Sequence, residues 1–227
     1  MYPTSSRARR APPALRDALC HINSLTAQLT TIAGELAHCR QTIEEQARTL
    51  ERINDLDPLT LLANRRCLAA FGRTEFKRAL VLDMPFSVLM LDVDNFKSSI
   101  NDRFGHADGD FCLVKSGKIC MSQVRDELDL VVRYGGEEIL ILLPGLDERQ
   151  AALVAERIRA KIAAYRRRSN GCRWTVTIGV AGRTSANSLT NIIAAADAAL
   201  YVGKSNGKNQ VVVTAASEAG DCLTAVA

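Results

Sequence analysis

Between Leu15 and about Leu56 apolar residues return every seven positions, at Leu15, Ile22, Leu29, Leu36, Ile43 and Leu50. A second row lies three residues behind the first, at Ala18, Leu25, Ile32, Cys39, Gln46 and Ile53. Two rows at that offset make the a/d seam of nearly six heptads, the pattern by which helices wind about one another. No proline and only one glycine, Gly34, interrupt the stretch. A coiled-coil stalk over 14–56 is therefore predicted. A long amphipathic helix folded back on its own domain is the alternative, because Arg40, Gln46 and Ala47 weaken the seam. Either arrangement offers a docking surface.

After Asp57-Pro58 the period changes to short strands alternating with helices. Helical periodicity covers about 64–82, and an apolar, β-rich run at 86–93 comes after the turn signal at Pro85. A helix over 108–124 is next, then two short strands, 129–134 and 138–143, around Gly135-Gly136, the composition of a tight hairpin turn. A helix at 147–168, a strand at 173–181, a helix at 189–204 and a strand at 209–214 complete the series. This order predicts an α/β fold with one mixed sheet flanked by helices, preceded by the long N-terminal helix.

Composition adjusts this picture only slightly. A chain of 227 residues, 47% of them hydrophobic, supports one core of ordinary domain size plus an appendage. The domain is expected over 57–215, with disordered tails at 1–13 and 216–227. No run approaches the roughly 20 apolar residues that span a bilayer, and the start lacks the apolar core of a secretory signal. A cytoplasmic protein without membrane insertion is expected. The seven cysteines are scattered with no C-x-x-C pair, so neither a disulfide framework nor a zinc site is indicated, and several read as small core residues. The net charge of +4 comes from four arginines at 7, 9, 10 and 16; the other 25 basic and 25 acidic residues cancel. A short basic arm of this kind reads as solvated, and no nucleic-acid partner is expected.

Candidate chemistry gathers where these strands end. Asp92 and Asp94 leave the strand at 86–93, and Glu137 and Glu138 lie in or just after the hairpin turn. If the two strands are neighbours, the acids converge, and converging carboxylates suit magnesium carried in by phosphates. Taken singly, each acid also fits a solvated loop position.

Four ordered motifs extend this reading across about 57–213. They are Asp57-Pro58-Leu59-Thr60 with Asn64-Arg65-Arg66; Asp92-Val93-Asp94-Asn95-Phe96-Lys97 with Asn101-Asp102, Gly105-His106 and Gly109-Asp110; Arg133-Tyr134-Gly135-Gly136-Glu137-Glu138; and Ala196-Asp197, Ala199-Leu200-Tyr201, Lys204 and Gly207-Lys208-Asn209. In this order they resemble the GGDEF family of diguanylate cyclases, whose signature stands here as Gly-Gly-Glu-Glu-Ile.

The resemblance implies a palm-like sheet of the nucleotide-cyclase, ferredoxin-like type and condensation of two GTP into cyclic di-GMP. By it, Asp92, Glu137 and Glu138 would be the catalytic acids. Asp92, Glu137 and the backbone carbonyl of Val93 would hold magnesium or manganese. Gly135 and Gly136 would let phosphates approach closely. Asn101 and Asp110 would read the guanine edge, with His106 in the same segment. Lys204, Lys208 and the segment Asn95, Phe96 and Lys97 would meet the phosphates. Because each GTP gives its 3′-hydroxyl to the phosphorus of the other, the resemblance implies a homodimer, and the stalk becomes the place where pairing and a regulatory protein would act. A catalytically impaired receptor for GTP or cyclic di-GMP is the alternative.

Three departures bear on these expectations. Ser98, Ser99 and Ile100 separate Lys97 from Asn101, where the family has two residues. One extra helical residue rotates the downstream segment by about 100°, so a bulge or looser turn is expected there. Leu61 stands where the opening motif has glycine, a change bearing on how the stalk meets the domain, and Ile139 replaces the usual phenylalanine with another core-facing apolar residue. The family's product-inhibition site, Arg-x-x-Asp ending five residues before the Gly-Gly, keeps Asp129 but has Asp126 at the arginine position and Arg125 one residue out of register. Weak or absent feedback inhibition is expected.

Overall fold

The computed structural model describes residues 13–183, 188–214 and 223–226. The tail expected at 1–13 lies outside them save for its last residue, and so do residues 215–222. The chain divides into two units, residues 1–53 and 54–227. The first is carried by α1 (Pro13–Asn54), 42 residues without interruption. Its seam residues Ile22, Leu25, Leu29, Ile32, Leu36 and Ile43 are 48–66% exposed, an apolar stripe along one side of the helix. Among the described residues no helix is long and apolar enough to cross a membrane.

The second unit is an α/β fold: a mixed sheet with helices on both faces. Its elements are α2 (Arg65–Val81), β1 (Phe86–Val93), a π-turn (Phe96–Asn101), α3 (Asp102–Phe104), α4 (His106–Met121), β2 (Leu130–Arg133), β3 (Glu138–Pro144), α5 (Glu148–Ala164), β4 (Val176–Gly182), α6 (Leu189–Ser205), β5 (Val211–Thr214) and β6 (Leu223–Val226). The strand order is β2-β3-β1-β4-β5-β6. Strand β1 runs antiparallel to both neighbours, and β4 and β5 are parallel. Strand β6 pairs antiparallel with β5, inside the stretch where the sequence predicts a disordered tail.

Alternation along the strands divides the core in two. Leu89, Leu91, Ile139, Ile141, Ile178 and Val180 face α4 and α5, while Val88, Met90, Leu140 and Leu142 face α2 and α6. Burial on both faces is why 86–93 reads as one continuous apolar run. Ile139, only 1% exposed, fills its core position as expected. Cys112, Cys120 and Cys172 are core residues too.

Element ends obey local chemistry. The Asn64 side chain caps α2, accepting from the N–H groups of Arg66 and Cys67, and Asp147 and Gln150 form a capping box on α5. Helix α5 stops at Ala164, short of the predicted 168, because Tyr165 turns extended and packs its ring on Trp174, with centroids 5.4 Å apart. Helix α6 lies flat on β4 at Gly179, where a Cβ would come within 2.0 Å of the Ala196 carbonyl oxygen. No side chain fits there, so this contact fixes the height of α6 above the sheet.

Leu61 keeps the left-handed backbone suited to glycine, with φ 58°, and its side chain is 69% exposed. A non-glycine residue there costs about 1–2 kcal/mol, partly offset by its lower freedom in the unfolded chain. Leu61→Gly should stabilise the fold by about 0.5–1 kcal/mol in urea denaturation; a loss of stability would show that the leucine side chain contributes packing.

Candidate functional site

The β1–β3 register sets Asp92 opposite Glu138, with Glu137 in the turn just before. The convergence of acids predicted for neighbouring strands is thus realised. From the other side α6 brings Lys204, whose ammonium pairs with the Asp92 carboxylate and lies 3.0 Å from Asp94 Oδ1. Lys208, in the turn after α6, donates to the Asn95 side-chain oxygen. An open cleft of about 420 Å³ is lined by Asp92, Val93, Asn95, Phe96, Lys97, Glu137, Lys204 and Lys208, joined by Ser98 and Asp102, to which the sequence assigns no role in the site.

Charge explains how these groups behave. Desolvation pushes the carboxyl of Asp92 up, against the pull of Lys204. Desolvation, then the negative charge of Asp92, does the same to Glu137. Glu138 is raised by desolvation and by Asp92, Asp197 and Glu137 together. Acids so crowded favour an added cation. Among the described residues no three His, Cys, Asp or Glu side chains form a ready metal cluster. The donor set that fits a divalent ion here is two carboxylates, Asp92 and Glu137, with the Val93 carbonyl: hard oxygen atoms of the kind magnesium takes, leaving positions for water and phosphate.

Gly135 and Gly136 differ in what they permit. A Cβ on Gly135 would stand 2.3 Å from Glu138 Oε2, so Gly135 makes room for the carboxylate of its own hairpin. Around Gly136 nothing lies within 4 Å, and the turn is open to an incoming group. Glu138 is absent from the cleft wall; its carboxylate curls back over the turn.

The extra residue at 98–100 is absorbed by the π-turn. The N–H of Asp102 reaches the carbonyl of Lys97, five residues back, where an α-helix would reach four. The wider turn keeps Ile100 fully buried and holds the Asn101 amide inward. Asn101 Oδ1 is buried without a hydrogen-bond partner, a position that calls for a donor. It sits so near α4 that a Cβ on Gly109 would approach it to 2.0 Å. His106 and Asp110, in the first turns of α4, are exposed and do not line the cleft.

A brace behind the hairpin carries no signal in the sequence. Arg133 Nη1 donates to both oxygens of Asp57, at 3.0 and 3.1 Å, and Nη2 donates to the Gly136 carbonyl at 3.0 Å. Asp57 also accepts from Thr60, backbone N–H at 2.8 Å and hydroxyl at 2.7 Å. The opening motif thereby ties itself to the turn that carries Glu137. Asp94, in sequence one more acid near a strand end, is buried beneath the cleft and accepts from Thr175 and Thr177. No local pattern could reveal either contact, since each joins residues more than 70 positions apart.

Residues 54–210 match the family model described as "Diguanylate cyclase, GGDEF domain". The chain is 35% identical over 202 residues to diguanylate cyclase DosC of Escherichia coli, covering 88% of this chain and 42% of that one. It is 41% identical over 132 residues to diguanylate cyclase A of Treponema denticola, covering 56% of this chain and 35% of that one. The chain thus spans about two fifths or less of the curated relatives it matches. Among solved structures, the coiled coil and GGDEF domain of DgcB from Caulobacter crescentus, in complex with c-di-GMP, superposes with a TM-score of 0.71 at 28% identity, covering 84% of this chain and all of that one. Diguanylate cyclase SiaD of Pseudomonas aeruginosa, in complex with its activator SiaC, gives 0.70 at 30% identity, covering 88% and 78%.

The brace should be measurable. Burial pushes the Asp57 carboxyl up, but the Thr60 hydrogen bonds and Arg133 outweigh it and hold the group below its ordinary 3.8. Its stabilising contribution is therefore complete above about pH 4 and disappears as pH falls through the lower folded value. Arg133→Ala should cost about 2 kcal/mol at pH 7. The stability gap between wild type and Asp57→Asn should narrow below about pH 4; a gap independent of pH would refute the assignment.

Proposed function

Because the chain belongs to the GGDEF family, we propose that it is a diguanylate cyclase, joining two GTP into cyclic di-GMP with release of two pyrophosphates. The observation that carries this reading is the cleft in which Asp92 and Glu137 face Lys204 and Lys208 across the ends of adjacent strands. Carboxylates on one side and ammonium groups on the other suit a nucleoside triphosphate bound with its divalent ion.

On this reading Asp92, Glu137 and the Val93 carbonyl hold magnesium or manganese. When bound, the ion supplies neutralisation of phosphate charge and acidification of the attacking 3′-hydroxyl. Lys204 and Lys208 take the outer phosphates, helped by Lys97 and by backbone N–H groups near Asn95 and Phe96. Glu138, its proton affinity raised by its neighbours, takes the hydroxyl proton as attack proceeds. The unpaired Asn101 oxygen accepts from the guanine amine, and Asp110 from the same edge of the ring, with His106 beside them. Adenine lacks both donors, since its ring N1 is an acceptor and its C2 carries no amine.

One cleft holds one GTP, so two chains meet with their clefts facing. The exposed stripe on α1 supports pairing through the heptads, and a regulatory protein gripping the stalk would change how often two clefts meet. GTP as substrate fits a cytoplasmic setting. Feedback through the Arg-x-x-Asp position is weak or absent. Arg125 is tied down, with Nε 3.1 Å from Asp129 Oδ2 and Nη2 2.6 Å from the Pro144 carbonyl oxygen, and Asp126 would repel a phosphate.

Incubation with GTP and magnesium should yield cyclic di-GMP by chromatography, and Glu138→Ala should lower the rate by about a hundredfold or more. No product at any protein concentration, with cyclic di-GMP still bound, would mean a receptor. Titrated product should inhibit the enzyme weakly; tight inhibition lost in Arg125→Ala or Asp129→Ala would sink the feedback assignment.

A further inference from the structure

Asp94 takes no part in the chemistry assigned to the cleft, yet its surroundings are built around its charge. The residue is 5% exposed. Its Oδ1 takes the Thr177 hydroxyl at 2.7 Å and the Lys204 ammonium at 3.0 Å. Its Oδ2 takes the Thr175 hydroxyl at 2.7 Å and the Asn209 backbone N–H at 3.0 Å. These four donors come from β4 and the residue before it, from the end of α6, and from the turn after α6. A buried carboxylate is tolerated only when its oxygens are satisfied in this way.

The turn it holds needs holding. Gly207, Lys208 and Asn209 have φ values of 108°, 64° and 46°, so two successive non-glycine residues sit in the left-handed region. Such residues persist only where neighbouring contacts impose the conformation. Asp94 grips the Asn209 N–H from below, and Arg159 on α5 grips the Asn209 side-chain oxygen at 2.8 Å. Held there, Lys208 reaches Asn95 across the cleft. Lys204 has two carboxylates beside it, and Asp94 is the one buried beneath the cleft, where no ligand reaches.

We propose that Asp94 is a positioning residue for phosphate binding: its carboxylate locks the Gly207–Asn209 turn and the end of α6 so that Lys204 and Lys208 stand over the cleft. The role rests on the reading that these lysines meet the triphosphate. It differs from that of Asp92, two residues earlier on the same edge, because Asp94 stays the counter-charge of Lys204 when Asp92 turns to another cation.

Asp94→Asn keeps the shape but turns one acceptor into a donor, which on either side then confronts the Lys204 ammonium or the Asn209 N–H. In the full chain with magnesium, its affinity for GTP should fall about tenfold or more while its affinity for guanosine stays within about twofold. Amide exchange over 207–210 should rise by about tenfold or more. Thr175→Val, which removes one neutral donor and leaves the charge, should show the same split at smaller size, and it serves as the test if Asp94→Asn fails to fold. Equal losses for GTP and guanosine, or unchanged exchange over 207–210, would overturn the proposal. A wild-type chain that gains nothing from the triphosphate over guanosine would instead remove the phosphate role of the lysines, and the exchange readout would then judge the clamp alone.

Discussion

The site depends on β1 lying between two antiparallel neighbours. Because β1 pairs with β3 on one side and β4 on the other, Asp92 meets Glu138 in one direction and Thr177 in the other. A slip of one residue in either pairing would turn these side chains to the opposite face and bury the acids against α4 and α5. The apolar residues of β1 guard against that slip, since Leu89 and Leu91 fill one core and Val88 and Met90 the other. Packing of aliphatic side chains thus sets where charge can stand.

Two carboxylates two residues apart on one edge have opposite fates. Asp92 is pushed up by desolvation, with Lys204 as its main relief. Asp94 is also subject to desolvation, but the hydroxyls of Thr177 and Thr175 and the Lys204 ammonium outweigh it and bring its carboxyl down. The first is a carboxylate held at some cost on the cleft wall, and the second is a settled anion inside the fold. Backbone geometry separates them: Asp92 is still in the β1 ladder, whereas Asp94 has passed its end and turned under the cleft, where Thr175 and Thr177 supply the hydroxyls.

Much of this is legible in the sequence. The heptads mark α1, the apolar run marks β1 to its last residue, and the Gly-Gly turn between two strands marks the hairpin. Eight of the expected site residues come together in one cleft because motifs at strand and helix ends converge once the strand order is set. Long-range pairing stays hidden. Arg133 and Asp57, or Asp94 and Thr177, carry no local signature, and only the topology makes them neighbours. The true end of α5 is hidden for the same reason, since Tyr165 leaves the helix to join Trp174 and Phe111. The strand at Leu223–Val226 is hidden by composition, four unremarkable residues near the end of the chain.

The π-turn at Phe96–Asn101 shows what a recognition motif measures. Counted along the chain, the spacing from Lys97 to Asn101 is longer by one than the family pattern, and a rule written in residue counts would reject it. In space the turn takes up the surplus as extra girth instead of extra rotation, and Ile100 and Asn101 still point inward. What the site requires is angular phase, and phase can be kept while length drifts. A residue added at this point is therefore accommodated without turning Asn101 away from α4.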